Sequence, residues 1–273
     1  MPDSLTASLV APAVPLETAV WSAAVATAQA ALTAPAAFGR SGGEVPFRVT
    51  EHDVRTTLGG PTAAAGAPFA WSARTARRAL GLAAVRALLA GDAATPVEAV
   101  RSRVAESSRL VHGGSHRASP LDGWLAGLSP AGRAAVGAEA VTWCTRLWTG
   151  VDWDALGTHL VIGRDHWWDS PQSALLALRG RAEVRTDRAH LVLLFGPRRA
   201  SVRAELGLVL LVEALRTRDD AVPARVVGWW PDSGHLARVE AEPAVLTLAA
   251  EAVTRVLAHG ARVPGGTEVQ PAA

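Results

Sequence analysis

The apolar positions of this chain change period along its length, from helical in the first half to strand-like beyond about residue 159. Residues 1–15 read as disordered. Leu16 to Leu32 is Ala-rich, with Leu16, Val20, Ala24 and Leu32 on one helical face. Gly39 to Gly43 breaks the pattern, and Val45 to Val49 reads as a short extended piece before a Gly/Ala/Pro loop from Gly59 to Pro68. Ser72 then caps a helix to Ala90, closed by Gly91, with Leu80, Leu88 and Leu89 as its apolar side. Thr95-Pro-Val-Glu98 has the capping-box pattern with Pro at the first helical position, and opens a helix to about Leu110. Val111 to Leu121 links it to a helix from Ser129-Pro130 to Trp148, where Val136, Ala140, Trp143 and Leu147 recur at helical spacing.

Past this point the period falls to two. His159 to Arg164 reads as a strand and Asp165 to Asp169 as a turn. Leu175 to Thr186 alternates: Leu176, Leu178, Ala182 and Val184 face one way, Arg179, Arg181, Glu183 and Arg185 the other. His190 to Phe195 is almost unbroken apolar sequence, the signature of a strand buried on both faces. Gly196-Pro197 ends it. Ser201 to Arg216 is a helix with a broad apolar side. Arg225 to Trp230 and His235 to Glu240 form a hairpin around Pro231-Asp-Ser-Gly234, and Pro243 starts a last helix that stops at Gly260. These elements predict an α/β (α+β) protein with a helical N-terminal region and a mixed central sheet. The divisions expected are 1–40 (flexible, with a possible helix), 41–128 (helical), 129–260 (α/β core) and 261–273 (disordered tail).

Composition changes this picture in three ways. The chain has no Lys, Asn or Tyr and a single Ile, Ile162, the mark of a GC-rich coding bias, so its many arginines need no functional cause. A formal net charge of +2 excludes a general polyanion binder and leaves only local Arg clusters. The lone Cys144 excludes an internal disulfide and a Cys-rich zinc site, and fits a reducing, cytoplasmic setting. Asp3, Glu17, four early prolines and no basic residue before Arg40 are the opposite of a signal peptide, and no membrane span is read.

Several groups are candidates for chemistry. Arg74, Arg78 and Arg86 share a helix face, either as a solvated face or as a phosphate-facing stripe. Trp143, Trp148 and Trp153 read as a base-stacking platform or as packing. His112 and His116 flank Gly113-Gly114, so no helix holds both rings on one side as a metal pair. Cys144 lies within a helix and suits a buried thiol rather than a nucleophile. No Gly-x-Ser-x-Gly and no phosphate-binding Gly loop occurs.

From Ala131 to Ala258, the Gly180-Arg181-Ala182-Glu183 strand, the apolar strand after it and the long helix resemble the PD-(D/E)XK nuclease superfamily, in particular its RecB/AddB/Cas4-like branch. The resemblance implies a restriction-endonuclease-like α-βββ-α-ββ-α core. In that family carboxylates hold a divalent metal that activates water, beside a lysine that positions the nucleophile. Gly180 and Arg181 match the motif, and Glu183 stands where the metal-binding Asp is usual. Leu193 takes the acidic position of the next strand and Phe195 the lysine position. Glu205 and Val209 fall where the helix carries Gln and Tyr, and Thr158 and His159 where a Glu is common. The resemblance therefore implies a pseudonuclease in which Glu183 is a relic or simply pairs Arg181 and Arg185. It implies no cofactor, unless ligands have migrated to Asp165 or Asp169, in which case Mg²⁺ or Mn²⁺ would be bound. The expected partner is DNA or a DNA-processing protein, contacted through Arg181, Arg198, Arg199, Arg203, Arg74 and Arg78. A protein-interaction or scaffold subunit that binds no nucleic acid is one alternative, and an active metal-dependent nuclease with migrated ligands is a second.

Overall fold

A computed structural model describes residues 4–12, 17–33, 47–59, 71–157, 159–171, 176–216 and 222–260. The chain forms two compact units, one of Phe69–Trp153 and one of Met1–Pro68 with Asp154–Ala273. The division differs from the expected boundary at 129. The helix begun at Ser129-Pro130 belongs with the helices before it, and the segment around Phe47 belongs with the later strands.

The helical unit is built from α4 (Ala73–Ala90), α5 (Pro96–His112), α6 (Pro120–Gly127) and α7 (Pro130–Gly150). Ser72, Thr95, Ser119 and Ser129 cap their N-termini, each accepting a backbone N–H three residues on. Gly91 closes α4 in the left-handed conformation, at φ 75°. Val136, Ala140, Trp143 and Leu147 are all buried, as the spacing predicts, together with Leu80, Leu88, Val100 and Leu125. Leu89 is 38% exposed and does not join the apolar side. The stretch read as a linker ends in α6, which Asp122 fastens to α5. Its buried carboxylate accepts from Ser107 Oγ (2.6 Å), Arg103 Nη2 (2.7 Å) and the Ser119 N–H (2.7 Å).

The second unit begins with two helices, α1 (Leu5–Val10) and α2 (Thr18–Thr33). The first overturns the expectation of disorder: Ser4 caps it, and Leu5 and Leu9 are buried. Buried Arg225 holds its C-terminal end by donating to Ser8 O (3.3 Å) and Pro12 O (2.7 Å). The inward face of α2 is Trp21, Ala28 and Leu32, with Ala24 partly buried, whereas Val20 is exposed. Leu16, Gly39–Gly43, most of the Gly59–Pro68 loop and the 261–273 tail lie outside the described residues.

Strand β1 (Phe47–Val49) leads into α3 (Glu51–Thr57), a helix the apolar pattern does not announce. After the helical unit come β2 (Val161–Ile162), β3 (His166–Asp169), β4 (Leu176–Gly180), β5 (Val184–Arg185), β6 (Ala189–Leu193), α8 (Val202–Arg216), β7 (Arg225–Trp230), β8 (His235–Glu240) and α9 (Pro243–Gly260). They form a mixed α/β unit with two sheets, of order β1-β4-β3 and β2-β5-β6-β7-β8. Parallel pairs join β1 to β4 and β6 to β7, and the remaining neighbours are antiparallel. Helix α8 packs against β3, β4, β7 and β8, and α9, α2 and α3 pack on it.

Two strand expectations are corrected. Asp165–Asp169 is mostly strand rather than turn, because buried Trp168 pairs with Leu178 and anchors β3 to β4. The strand read from Leu175 to Thr186 is interrupted: the ladder lapses at Arg181 and Ala182, Glu183 regains backbone bonds to Leu191 O and the Gly163 N–H, and the two pieces enter different sheets. Leu175 itself lies outside the described residues.

Candidate functional site

At the kink between β4 and β5, side chains take up backbone groups that a continuous ladder would pair. Glu183 is fully buried, and its Oε2 accepts the Leu193 N–H at 2.6 Å. Arg181 Nη2 donates to Leu193 O at 2.9 Å. Arg185, beyond the kink, donates through Nη2 to Gly180 O at 2.6 Å and through Nε to Arg164 O at 3.0 Å.

Around this kink lies a buried charge cluster. Arg181 Nη1 donates to Glu51 Oε1 at 2.7 Å, and its Nε forms an ion pair with Glu183 Oε1 at 3.1 Å. Arg179 Nη2 donates to both oxygens of Glu51, at 2.8 and 3.1 Å. Asp165 Oδ2 stands 3.9 Å from Arg179 Nη1. Burial alone would raise the Glu51 carboxyl. The charges of Arg181 and Arg179 override it and hold the group at about 2. Arg181 moves the other way: burial opposes its charge, but Glu183 and Glu51 raise it above its ordinary value.

Glu51 has no place among the sequence candidates. It opens α3 directly after β1, and the sign of that helix was polar: Asp53 accepts from both the Thr50 N–H (2.8 Å) and the Thr50 hydroxyl (2.7 Å). A Thr-x-x-Asp pattern after a short strand could have flagged it. The partner of Arg181 on a helix 130 residues earlier could not be read from spacing.

A second buried cluster centres on Glu213 of α8. Its carboxylate pairs with Arg185 and with His166 Nδ1 at 2.9 Å, and His190 Nε2 lies 3.8 Å away. Burial raises this carboxyl, but His190, Arg185 and His166 bring it to about 2. His166 is pulled below its ordinary value, chiefly by burial, against the pull of Glu213. Arg185 thus turns to Glu213, not Glu183; the kink separates the two charges that a regular strand would align.

The arginines after β6 divide. Arg199 Nε donates to Glu205 Oε1 at 2.7 Å, its Nη2 pairs with Glu205 Oε2, and Nη1 reaches Phe195 O. Ser201 Oγ also donates to Glu205, so this buried carboxylate closes the loop onto α8. Arg198 is exposed, and Arg203 is 61% exposed, with Glu242 at 4.0 Å. Arg74 and Arg78 belong to the helical unit, the other four arginine candidates to the sheet unit. Arg74 is exposed and Arg78 half-buried.

Trp143 packs in the helical core against Gly81, while Trp148 and Trp153 stack on each other at 5.4 Å between ring centroids. Cys144 is buried, which pushes its thiol up to about 12 and leaves no thiolate for nucleophilic chemistry near neutral pH. His112 Nδ1 lies 2.7 Å from Ser108 O in its own helix.

The donors do not fit a divalent metal. Leu193 and Phe195 offer no carboxylate or amine, and Leu193 is fully buried in the core. Glu51 and Glu183 both pair with Arg181. Asp169 is exposed on β3, and Asp165 faces Arg179. Among the described residues no three His, Cys, Asp or Glu side chains form a metal-binding group. Nor, among them, is any helix long and apolar enough to cross a membrane. Comparison with protein-family models, curated proteins and solved structures finds no match for this chain.

Proposed function

We propose that this chain is a nuclease-like protein without catalysis, acting as a DNA-binding accessory factor. The observation that carries the reading is the engagement of both cluster carboxylates, Glu51 and Glu183, by the Arg181 guanidinium, at the motif position where the resemblance implies a metal. Glu183 is fully buried and has both oxygens taken, so it has no route to a substrate or a water. The DNA half of the proposal is supported by exposed Arg198 and Arg203 around the start of α8. It is also supported by exposed Arg48, whose guanidinium carbon lies 5.9 Å from the centroid of the Trp167 ring, itself 39% exposed. An exposed Trp beside arginine is a sequence-tolerant surface for an unpaired base.

The test is binding to single-stranded and duplex DNA, followed by fluorescence anisotropy across a salt series. The expected result is a log affinity that falls linearly with log salt, with the slope reduced by about two in the Arg198→Ala/Arg203→Ala variant, about one for each phosphate contact. No binding, or binding indifferent to salt, would remove the nucleic-acid role.

One observation favours a second reading, a protein-interaction subunit. A groove of about 640 Å³ runs between α5 and α7 and is lined largely by Val97, Val100, Val104, Ala134, Gly137 and Val141. A stoichiometric co-purifying protein together with no DNA shift would favour this reading.

A further inference from the structure

The resemblance implies a metal and the residues do not fit one; the structure shows what stands in the way. Three oxygens from three separate segments converge on one side chain: Glu51 Oε1 from the start of α3, Glu183 Oε1 from the kink, and Leu193 O from the end of β6. Each faces a different guanidinium nitrogen of Arg181, at 2.7, 3.1 and 2.9 Å respectively. Two carboxylates and a backbone carbonyl are the hard oxygen donors that Mg²⁺ and Mn²⁺ select. Two buried carboxylates in such proximity also require compensating positive charge, since each is costly to desolvate unpaired.

We propose that Arg181 is a tethered cation that holds this oxygen cage closed in place of a divalent metal, and that its removal opens the cage to one. The inference deepens the non-catalytic reading by giving its physical cause. Arg suits the role because its charge is permanent and its planar fork donates to Glu51 and Leu193 O while its Nε edge stays in ion-pair reach of Glu183, which a titrating lysine amine cannot do in the same plane. Arg179 also pairs with Glu51, so each of the two cage carboxylates already faces a guanidinium, and Asp165, 3.9 Å from Arg179, lies at the cluster's edge.

The test uses the full chain, with Mn²⁺ as the probe and no nucleic acid present, so that its outcome is independent of the DNA-binding experiment. Mn²⁺ uptake is read by electron paramagnetic resonance and titration calorimetry, and the thermal midpoint is followed with Mn²⁺ and with a chelator. The wild-type chain is expected to take up no stoichiometric Mn²⁺ and to melt at the same temperature in both. Arg181→Ala is expected to melt lower, to bind one Mn²⁺ and to recover part of the lost midpoint when it is added. Adding Glu183→Gln to Arg181→Ala is expected to weaken that binding by more than about tenfold, because it removes one of the two anionic donors. Stoichiometric Mn²⁺ on the wild type that is lost on Glu183→Gln would overturn the proposal. So would a folded Arg181→Ala chain that ignores millimolar Mn²⁺, or one that stays unfolded with Mn²⁺ and without it. An Arg181→Ala chain that folds only with Mn²⁺ would support it.

Discussion

Gly180 governs how closely β4 can approach α8. A Cβ built on it would sit 2.9 Å from both Cβ and Cγ1 of Val212, a β-branched side chain fixed near the helix backbone and fully buried. Nothing at that site is a flexible side-chain end that could swing away. Gly180→Ala is therefore expected to destabilise the chain by about 1–3 kcal/mol through overpacking. Val212→Ala in the same chain should return part of that loss, with a coupling of about 1 kcal/mol between the two sites. Urea denaturation of the two single variants and the double variant measures it. Additive losses would mean that the contact does not limit the approach. The glycine matters doubly, because Arg185 donates to its carbonyl and the kink starts at the next residue. A motif glycine here has a packing reason that does not depend on any catalytic history.

Among the elements, buried carboxylates do the fastening: Glu51 joins α3 to the β4–β5 kink, Glu213 joins α8 to β5 and β3, and Asp122 joins α6 to α5. Glu51 and Glu213 are held at about 2 against an ordinary 4.5, and Asp122 at about 2 against 3.8. Their folded values lie below their unfolded ones, so on acidification the unfolded chain takes up protons first. The stability they contribute is complete above pH 4.5 and is lost as the pH falls toward about 2. His166 has the same sign: its folded value is also depressed, so a shallower loss begins as the pH drops below 6.5. Urea midpoints measured against pH should be level above 6.5, dip slightly, and then fall steeply below 4.5, with the steep limb blunted in Glu51→Gln. A curve that stays level from pH 4.5 down toward 2, or an acid limb that Glu51→Gln leaves unchanged, would deny these pairs their role. Helices with caps and periodic apolar faces were legible from sequence, as α4, α5, α7 and α9 show. So were β7, β8 and the apolar run of β6. The break after Gly180 was not, because period-two alternation continues through Arg181-Ala182-Glu183 even though the ladder lapses at Arg181 and Ala182. What ends β4 is a set of contacts with Glu51, Leu193 and Glu213, all distant in sequence. For the same reason Glu183 was legible as a residue to watch, while its partner Glu51 was not.

For the whole molecule, the helical unit is an insertion between α3 and β2, so the sheet unit is assembled from two stretches of chain while the helical unit is continuous. A continuous unit with its own core and its own caps has the attributes of an independently folding domain. Its core includes Leu80, Val85, Val100, Leu125, Val136, Trp143 and Leu147. The N-terminus of each of its four helices is capped by Ser or Thr within the unit, and Asp122 is satisfied by Ser107, Arg103 and Ser119 of the same unit. A chain of residues 69–153 alone is thus expected to be helical and to melt in one cooperative transition, followed by circular dichroism. Gly81→Ala probes whether that transition reports the native core: an added Cβ would lie 2.9 Å from the Trp143 ring, so the substitution should lower the midpoint of the isolated unit. Helicity without cooperativity, or a melt unmoved by Gly81→Ala, would mean that the α4–α7 core forms only in the complete chain.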